Sequence, residues 1–348
     1  MKENRRISIA APVSRLSEAA SLIKSGVNEI YCGILTPENI KNRPDINVIN
    51  RRAGASSNLP SFDSLEKLVN LAHSKDVKVS FALNEFYGFN QLSEALQQAE
   101  VATECGVDNI IIADIGLLRK LSKSLADKVD IHISSVASVF NSATVEFYKR
   151  FNPAKIILQR ALRMDEFRML AQENPDTVFE VFLMRERCYF VDGCCGFIHN
   201  SYLSQDKAIG RFFKSERLSG LIASLLPNSV LEKILYRGNK NVLPCNFSYS
   251  IDESSKSEHL FNSPSNFMNA CGLCSMYDFM DMGISNFKIS GRSIQIDKIK
   301  PIRFIKEAEK LVNAATTKEE YMAEVQKLAL SLSVPCSPEL CYYSEGEE

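Results

Sequence analysis

Short apolar runs rich in β-branched and aromatic residues alternate along this chain with segments whose apolar positions recur every three to four residues. The runs are "ISIAAPV" (7–13), "EIYCG" (29–33), "KVSFALN" (78–84), "NIIIAD" (109–114), "DIHISS" (130–135), "KIILQ" (155–159), "FEVFLM" (179–184) and "NFKISG" (286–291). They are close to continuously apolar, the pattern of strands covered on both faces. Between most of them lie helical patterns such as "SRLSEAASLIKSG", "SFDSLEKLVNLAHSKD" and "NQLSEALQQAEVATECG". Several open on a Ser, Asn or Asp able to cap a helix, and two end at Gly26 and Gly106. Eight such units predict an α/β fold, a TIM-like (β/α)8 barrel. A doubly wound open sheet is the alternative, and the lack of a glycine-rich phosphate loop after the first run counts against it.

Two interruptions break the repeat. Residues 34–60 form a long loop after the second run, and 185–273 form an excursion after the seventh. Both follow the carboxyl ends of strands, the face on which barrel enzymes build their sites, and long connections in compact domains usually carry function. The expected organisation is seven barrel units over 1–184, an insertion over 185–273, barrel closure over 274–315, and a helix with a tail over 316–348. The tail "VPCSPELCYYSEGEE" reads as peripheral and acidic.

Composition narrows the setting. The chain has 348 residues, 45% hydrophobic and 24% charged, with a net charge of -1, so no global basic field marks a nucleic-acid binder, although a local patch remains open. The apolar run near the N-terminus is shorter than a secretory core and reads as a first strand, no stretch is long enough to span a bilayer, and a cytoplasmic location is expected. In a reducing compartment ten cysteines do not suggest a disulfide framework. Cys32 and Cys105 read as packing residues, and nothing in the sequence converges on Cys336 and Cys341. The other six, Cys188, Cys194, Cys195, Cys245, Cys271 and Cys274, all fall between the seventh and eighth runs. Soft thiolates suit zinc or an iron–sulfur cluster. Only "CGLC" (271–274) has zinc-knuckle spacing, and dispersed cysteines fit a cluster in an active-site mouth better. Of the adjacent pair Cys194 and Cys195, one is expected to ligate and the other to pack.

Ordered motifs then give a resemblance. Glu180, Phe182, Cys188, Gly193 and Cys195 stand in the register of the signature of the peptidase U32 family. "PCNFSY" with Cys245 is similar to a later segment of that family, and "GISNFKISGRS", with Lys288, Gly291 and Arg292, resembles its Lys-Ile-Glu-Gly-Arg stretch, seventeen residues before which falls Cys271. "NEFY", "ADIG", "IHISSVASVFN" and "LQRAL" look like further family segments. The departures are "MRER" before Cys188, Ala161 and Ser290 where Glu is usual, a long insertion before Cys245, and the extra Cys274. The resemblance implies a TIM-like barrel and, in branches with four such cysteines, a [4Fe–4S] cluster used in oxygen-independent hydroxylation of quinone precursors or of transfer-RNA uridine. It also implies a possible heterodimer with a second U32 chain. Cys188, Cys195, Cys245 and Cys271 are then the expected ligands, with Cys274 the substitute and zinc the alternative metal.

Residues at the carboxyl ends of strands supply the remaining candidates. His132, Asp114 and Arg160 are the catalytic candidates, and Asn84, Ser134, Asn141 and Arg292 the substrate-binding ones. Several have a structural alternative: a core histidine for His132, a helix cap for Asp114, and salt bridges with Glu85, Glu180 or Glu186 for the arginines. Three functions are weighed. The leading one is a hydroxylase-type oxidoreductase acting on a small molecule or an RNA, with an unidentified electron partner. The second is a peptidase, although the sequence has neither His-Glu-x-x-His nor Gly-x-Ser-x-Gly. The third is a scaffold subunit whose cluster stabilises the insertion while its partner does the chemistry.

Overall fold

The computed structural model describes residues 6–35, 50–52, 57–125, 127–188, 191–194, 270–292, 297–331 and 340–343. Most of the predicted insertion lies outside them, with Cys195 and Cys245, as does Cys336.

Eight parallel strands close into a barrel. Seven follow in chain order: β1 (Ser8–Pro12), β2 (Glu29–Cys32), β3 (Lys78–Leu83), β4 (Asn109–Ile112), β5 (Asp130–Ile133), β6 (Lys155–Ile157) and β7 (Phe179–Arg185). The eighth barrel strand, β9 (Asn286–Ile289), pairs with both β7 and β1 and shuts the ring. Each lies at a predicted run, and the open-sheet alternative is excluded by that closure. A two-residue strand the sequence did not announce, β8 (Ala270–Cys271), pairs antiparallel with the end of β7, Cys271 opposite Met184.

Helices cover the outside: α1 (Leu16–Lys24), α2 (Phe62–His73), α3 (Phe89–Glu104), α4 (Ile115–Ser124), α5 (Ser142–Lys149) and α6 (Met164–Glu173) after the first six strands, and α7 (Met276–Asp281) before β9. Their starts follow local chemistry. Ser61 accepts from the Ser64 amide at 3.2 Å, Asp114 from Leu117 at 2.7 Å and Asn141 from Thr144 at 3.0 Å, caps worth about 1 kcal/mol each. Outward strand residues such as Ile30, Phe81, Ile110, Ile133 and Phe287 are fully or almost fully buried under the helices, at roughly 1.5–3 kcal/mol per large side chain. After β9, α8 (Ile299–Ala314) closes the seam beside α1, where Glu309 accepts from the Ile7 amide at 3.2 Å, and α9 (Lys318–Ser331) packs beyond it.

One expectation is corrected here. The tail is not peripheral: Tyr342 and Tyr343 are buried, and Tyr343 stands edge-on to Phe167 and Phe279 with ring centroids 5.5 and 5.0 Å away. The Tyr343 hydroxyl donates to the Phe182 carbonyl, and the backbone of Cys341 bridges to that of Cys271. Sequence reading saw nothing converging on Cys341 because both contacts are long-range in the chain.

Candidate active site at the barrel mouth

The barrel interior is built in levels, because inward residues recur every second position along each strand. The lower level is polar on seven strands. Lys155 Nζ donates to Glu29 Oε2 at 2.7 Å and Glu180 Oε2 at 2.9 Å, and Lys288 Nζ reaches Glu180 Oε1 at 2.8 Å. Ser80 donates to Glu29 at 2.6 Å and Asn109 to Ser80 at 3.0 Å. Two carboxylates thus face two ammonium groups. Burial alone would raise the Glu180 carboxyl; Lys155 and Lys288 instead hold it well below the usual range. His132 completes this level with Nδ1 3.7 Å from Glu29, and burial pushes its imidazole down to about 4, so it is neutral at pH 7.

Two residues further along each strand lies the floor of a cavity of about 100 Å³, walled by Tyr31, Ala82, Ile111, Ile157 and Phe182. Ser134 and Ser290 come from the same level, and Asn84 stands just beyond β3. Lys288 joins the two levels: its ammonium lies 4.1 Å from the Tyr31 ring centroid. Four arginines line the rim. Arg51 faces Glu85 at 3.5 Å, Arg52 faces Glu186 at 2.9 Å and Arg160 faces Asp192 at 2.5 Å. Arg292 has no carboxylate partner among the described residues. It is 5% exposed, Nη2 donates to Asn50, and Nη1 is unpartnered among the described residues. Burial, with Arg52 nearby, pushes this guanidinium down to about 10. Gly33 makes room for it: a Cβ there would lie 2.3 Å from Arg292 Nη1. Asn84 Oδ1 is a second buried atom at the mouth without a partner among the described residues.

A latch holds the start of the cysteine-bearing segment against this rim. Arg160 grips Asp192 with Nε and Nη2, donates from Nη1 to the Glu186 carbonyl at 2.7 Å, and lies 4.7 Å from the Phe182 ring centroid. Gln159 accepts from the Asp192 amide at 3.0 Å and donates to its carbonyl at 2.9 Å, and Ser138 donates to the same carbonyl. Gly193 follows with φ +92, and a Cβ there would meet the Val136 carbonyl oxygen at 2.1 Å. Only glycine fits that approach. Cys188 lines the cavity, whereas Cys194 is exposed with Sγ 3.9 Å from Ser138 Oγ. Cys271 is brought to the end of β7 by β8, and Cys274 lies one short turn further on. Among the described residues no three Cys, His, Asp or Glu side chains converge on a metal position. Cys188 is the one described thiol that lines the cavity, a soft donor beside a cationic rim, a setting that fits thiolate ligation; Cys195 and Cys245 lie outside the described residues.

The sequence-based candidates therefore separate. Asn84, Ser134, Arg160 and Arg292 line one cavity. Asp114 does not: one oxygen caps α4 and the other accepts from the Tyr87 amide at 3.2 Å. Asn141 caps α5 and is exposed, and His132 is sealed one level below the cavity. The capping and core alternatives account for Asp114 and His132, and the structure makes Asn141 a cap as well. Arg185 turns away, donating to the Asp297 carbonyl at 2.9 Å, and holds an unusual φ of +83 at the end of β7. Sequence reasoning missed Glu29, Lys155, Gln159, Asp192 and Tyr31. A charged residue at an inward position of an otherwise apolar strand was the available signal for Glu29 and Lys155.

The profile of peptidase family U32 matches residues 14–215 and 230–344. The chain is 29% identical over 124 residues to tRNA hydroxylation protein P of Haemophilus influenzae, covering 36% of this chain and 27% of that protein. It is 24% identical over 232 residues to tRNA hydroxylation protein P2 of Bacillus subtilis, covering 66% and 67%. It is 23% identical over 196 residues to the 23S rRNA 5-hydroxycytidine C2501 synthase of Escherichia coli, covering 56% and 27%. Its matches thus span under a third of the Haemophilus and Escherichia relatives. With the profile covering most of its length, this chain belongs to peptidase family U32.

Proposed function

We propose that this chain is a hydroxylase-type enzyme that modifies RNA, taking one pyrimidine base into the barrel-mouth cavity. The observation that carries the reading is that a donor, Arg292 Nη1, and an acceptor, Asn84 Oδ1, both lack a partner among the described residues and share a small cavity walled by Tyr31 and Phe182. A pyrimidine offers carbonyl acceptors, an N–H or amino donor and a flat face, which match those groups. The RNA-hydroxylating names of its relatives support the same substrate class.

Replacing C–H by C–OH with water as oxygen source releases two electrons and two protons, so molecular oxygen is not required and an electron acceptor is. A [4Fe–4S] cluster on Cys188, Cys195, Cys245 and Cys271, with Cys274 as substitute, would supply the one-electron capacity that accepts this pair in steps. Arg160 holds Asp192 and the Cys188 segment in place, and Arg292 and Asn84 orient the base. Lys288, at the bottom of the cavity and bonded to Glu180, presents its ammonium as a hydrogen-bond donor to a carbonyl oxygen of the bound base. The peptidase reading has less support: the barrel's buried histidine, His132, is neutral and lies below the cavity, beyond reach of a nucleophile at the rim.

The test has two arms. Protein purified without oxygen is assayed for iron, sulfide and zinc, and nucleosides from RNA of cells with and without the gene are compared by mass spectrometry. The expected result is iron and sulfide lost in Cys188→Ala, and a pyrimidine nucleoside heavier by one oxygen atom only when the gene is present. Zinc without iron would replace the cluster with a structural metal. An unchanged nucleoside profile, with peptide cleavage that survives metal removal, would overturn the hydroxylase reading.

A further inference from the structure

Half of the large apolar side chains that stand exposed among the described residues come from two adjoining segments of the rim. Phe86 is 47% exposed, Phe89 94% and Ile115 49%. Phe86 lies on the loop after β3, beyond Asn84, which lines the cavity, and the other two open the helices after β3 and β4. A hydrogen bond and close packing hold these segments together. The Tyr87 amide donates to Asp114 at 3.2 Å, and a Cβ on Gly116 would touch Leu92 at 3.6 Å, so the first turns of α3 and α4 are packed against each other. Phe89 is the first residue of α3 and Ile115 the first of α4, which places the three exposed side chains on neighbouring positions of the rim.

The two helices that leave this patch differ in charge. α3, "FNQLSEALQQAEVATE", carries Glu94, Glu100 and Glu104 and no lysine or arginine. α4, "IGLLRKLSKS", carries Arg119, Lys120 and Lys123 and no acid. All three cations are exposed, and none forms a salt bridge among the described residues. Ile115, Arg119 and Lys123 are spaced four apart and form one stripe down the helix. Flat aromatics beside an acid-free cationic stripe are what a single-stranded nucleic acid requires: faces on which bases stack, and charge for the phosphates.

Resting on the RNA reading above, we infer that the substrate strand leaves the cavity over Phe86 and Phe89, stacks a flanking base there, and runs its phosphates along Arg119 and Lys123 of α4 rather than along α3. The patch and stripe are thus a binding surface for the nucleotides next to the modified one. Acidic α3 repels the backbone from the other side and so fixes the direction of the path.

The test measures binding of the full chain to an unmodified tRNA transcript and to polyuridylate by fluorescence anisotropy at several salt concentrations. Phe86→Ala/Phe89→Ala is expected to weaken binding about tenfold or more without changing the salt dependence. Arg119→Ala/Lys123→Ala is expected to weaken it and to reduce the log–log salt slope by about 2, one per lost phosphate contact. Phe89→Trp should retain affinity, since it keeps the stacking face. All these side chains are exposed, so folding is not at stake. Wild-type affinity in both double variants would overturn the path while leaving the RNA reading intact. A wild-type dimer that Phe89→Ala dissociates, with RNA affinity unchanged, would make the patch a self-association face. No binding of either RNA by the wild-type chain would sink the RNA reading, and the path with it.

Discussion

The two levels of the barrel interior hold similar residue types and behave in opposite ways. In the lower level the carboxylates of Glu29 and Glu180 are matched by Lys155 and Lys288, and Ser80 and Asn109 take up remaining hydrogen-bonding capacity. At the mouth the pairing stops one short: Arg51, Arg52 and Arg160 each have a carboxylate, and Arg292 has none among the described residues. Burying charge without a partner costs far more than burying a matched pair. The lower level is therefore organised for its own stability, and the mouth holds an anomaly that a ligand would relieve. The difference also bears on the rim cations that are paired. Arg160 is engaged on four sides by the latch, so its role is to position the Cys188 segment.

The sharpest way to break this comparison is to unbalance the lower level. Glu180→Gln leaves Lys155 and Lys288 with one carboxylate between them, and about 3–5 kcal/mol of stability should be lost in urea denaturation. The corresponding change at the rim, Glu186→Gln, should cost about 1 kcal/mol or less, because its pair with Arg52 is only partly buried. Equal losses would mean that the two levels do not differ in kind. A second prediction concerns pH. His132 is held neutral down to about 4 in the folded chain, whereas an unfolded histidine takes up its proton near 6.5. The unfolded state therefore binds more protons between these values, and stability falls as pH drops from about 6.5 to 4, by roughly 3 kcal/mol. His132→Asn should remove most of that slope while changing stability at pH 8 much less. A slope that survives the substitution would assign it to other groups.

The barrel and its mouth were legible to different depths. The strands could be read because β-branched runs such as "NIII" and "FEVF" have few alternatives once buried on both faces. Residue type alone leaves cap and catalyst both open for Asp114 and points Asn141 toward substrate, and only the hydrogen bonds to Leu117 and Thr144 decide. The charged lower level was hidden because its members lie far apart in sequence: Lys155 meets Glu29 across 126 positions. Tyr342 and Tyr343 were hidden for the same reason, since a tail shows its docking site only when folded. Gly193 stood in the family signature, but its requirement comes from the Val136 carbonyl on another loop.

The latch gives a third prediction, of middle size. Gly193→Ala forces a Cβ against the Val136 carbonyl at a backbone angle that alanine rarely adopts. Asp192→Asn removes the carboxylate that Arg160 grips. Each should loosen residues 186–194 from the barrel and leave the strands intact, at about 1–3 kcal/mol. Limited proteolysis should therefore cut near this segment several-fold faster, with little change in circular dichroism. Iron retention should fall in parallel if the segment carries cluster ligands. Cleavage at the wild-type rate would show that the loop is held by something other than this latch.

The smallest effect on stability is expected where the effect on binding is largest. Arg292→Met keeps most of the side-chain length and removes a guanidinium whose charge has no carboxylate partner among the described residues. Two bonds to Asn50 are lost, but so is the penalty of burying the charge. Stability in urea should change by about 1 kcal/mol or less, in either direction, in contrast to Glu180→Gln. Substrate affinity should drop at least tenfold, since a ligand acceptor would lose its charged donor, a contact worth about 1.5–3 kcal/mol. If Arg292→Met destabilises the fold as strongly as Glu180→Gln, Arg292 belongs to the scaffold, and the mouth holds no unmatched charge for a substrate to satisfy.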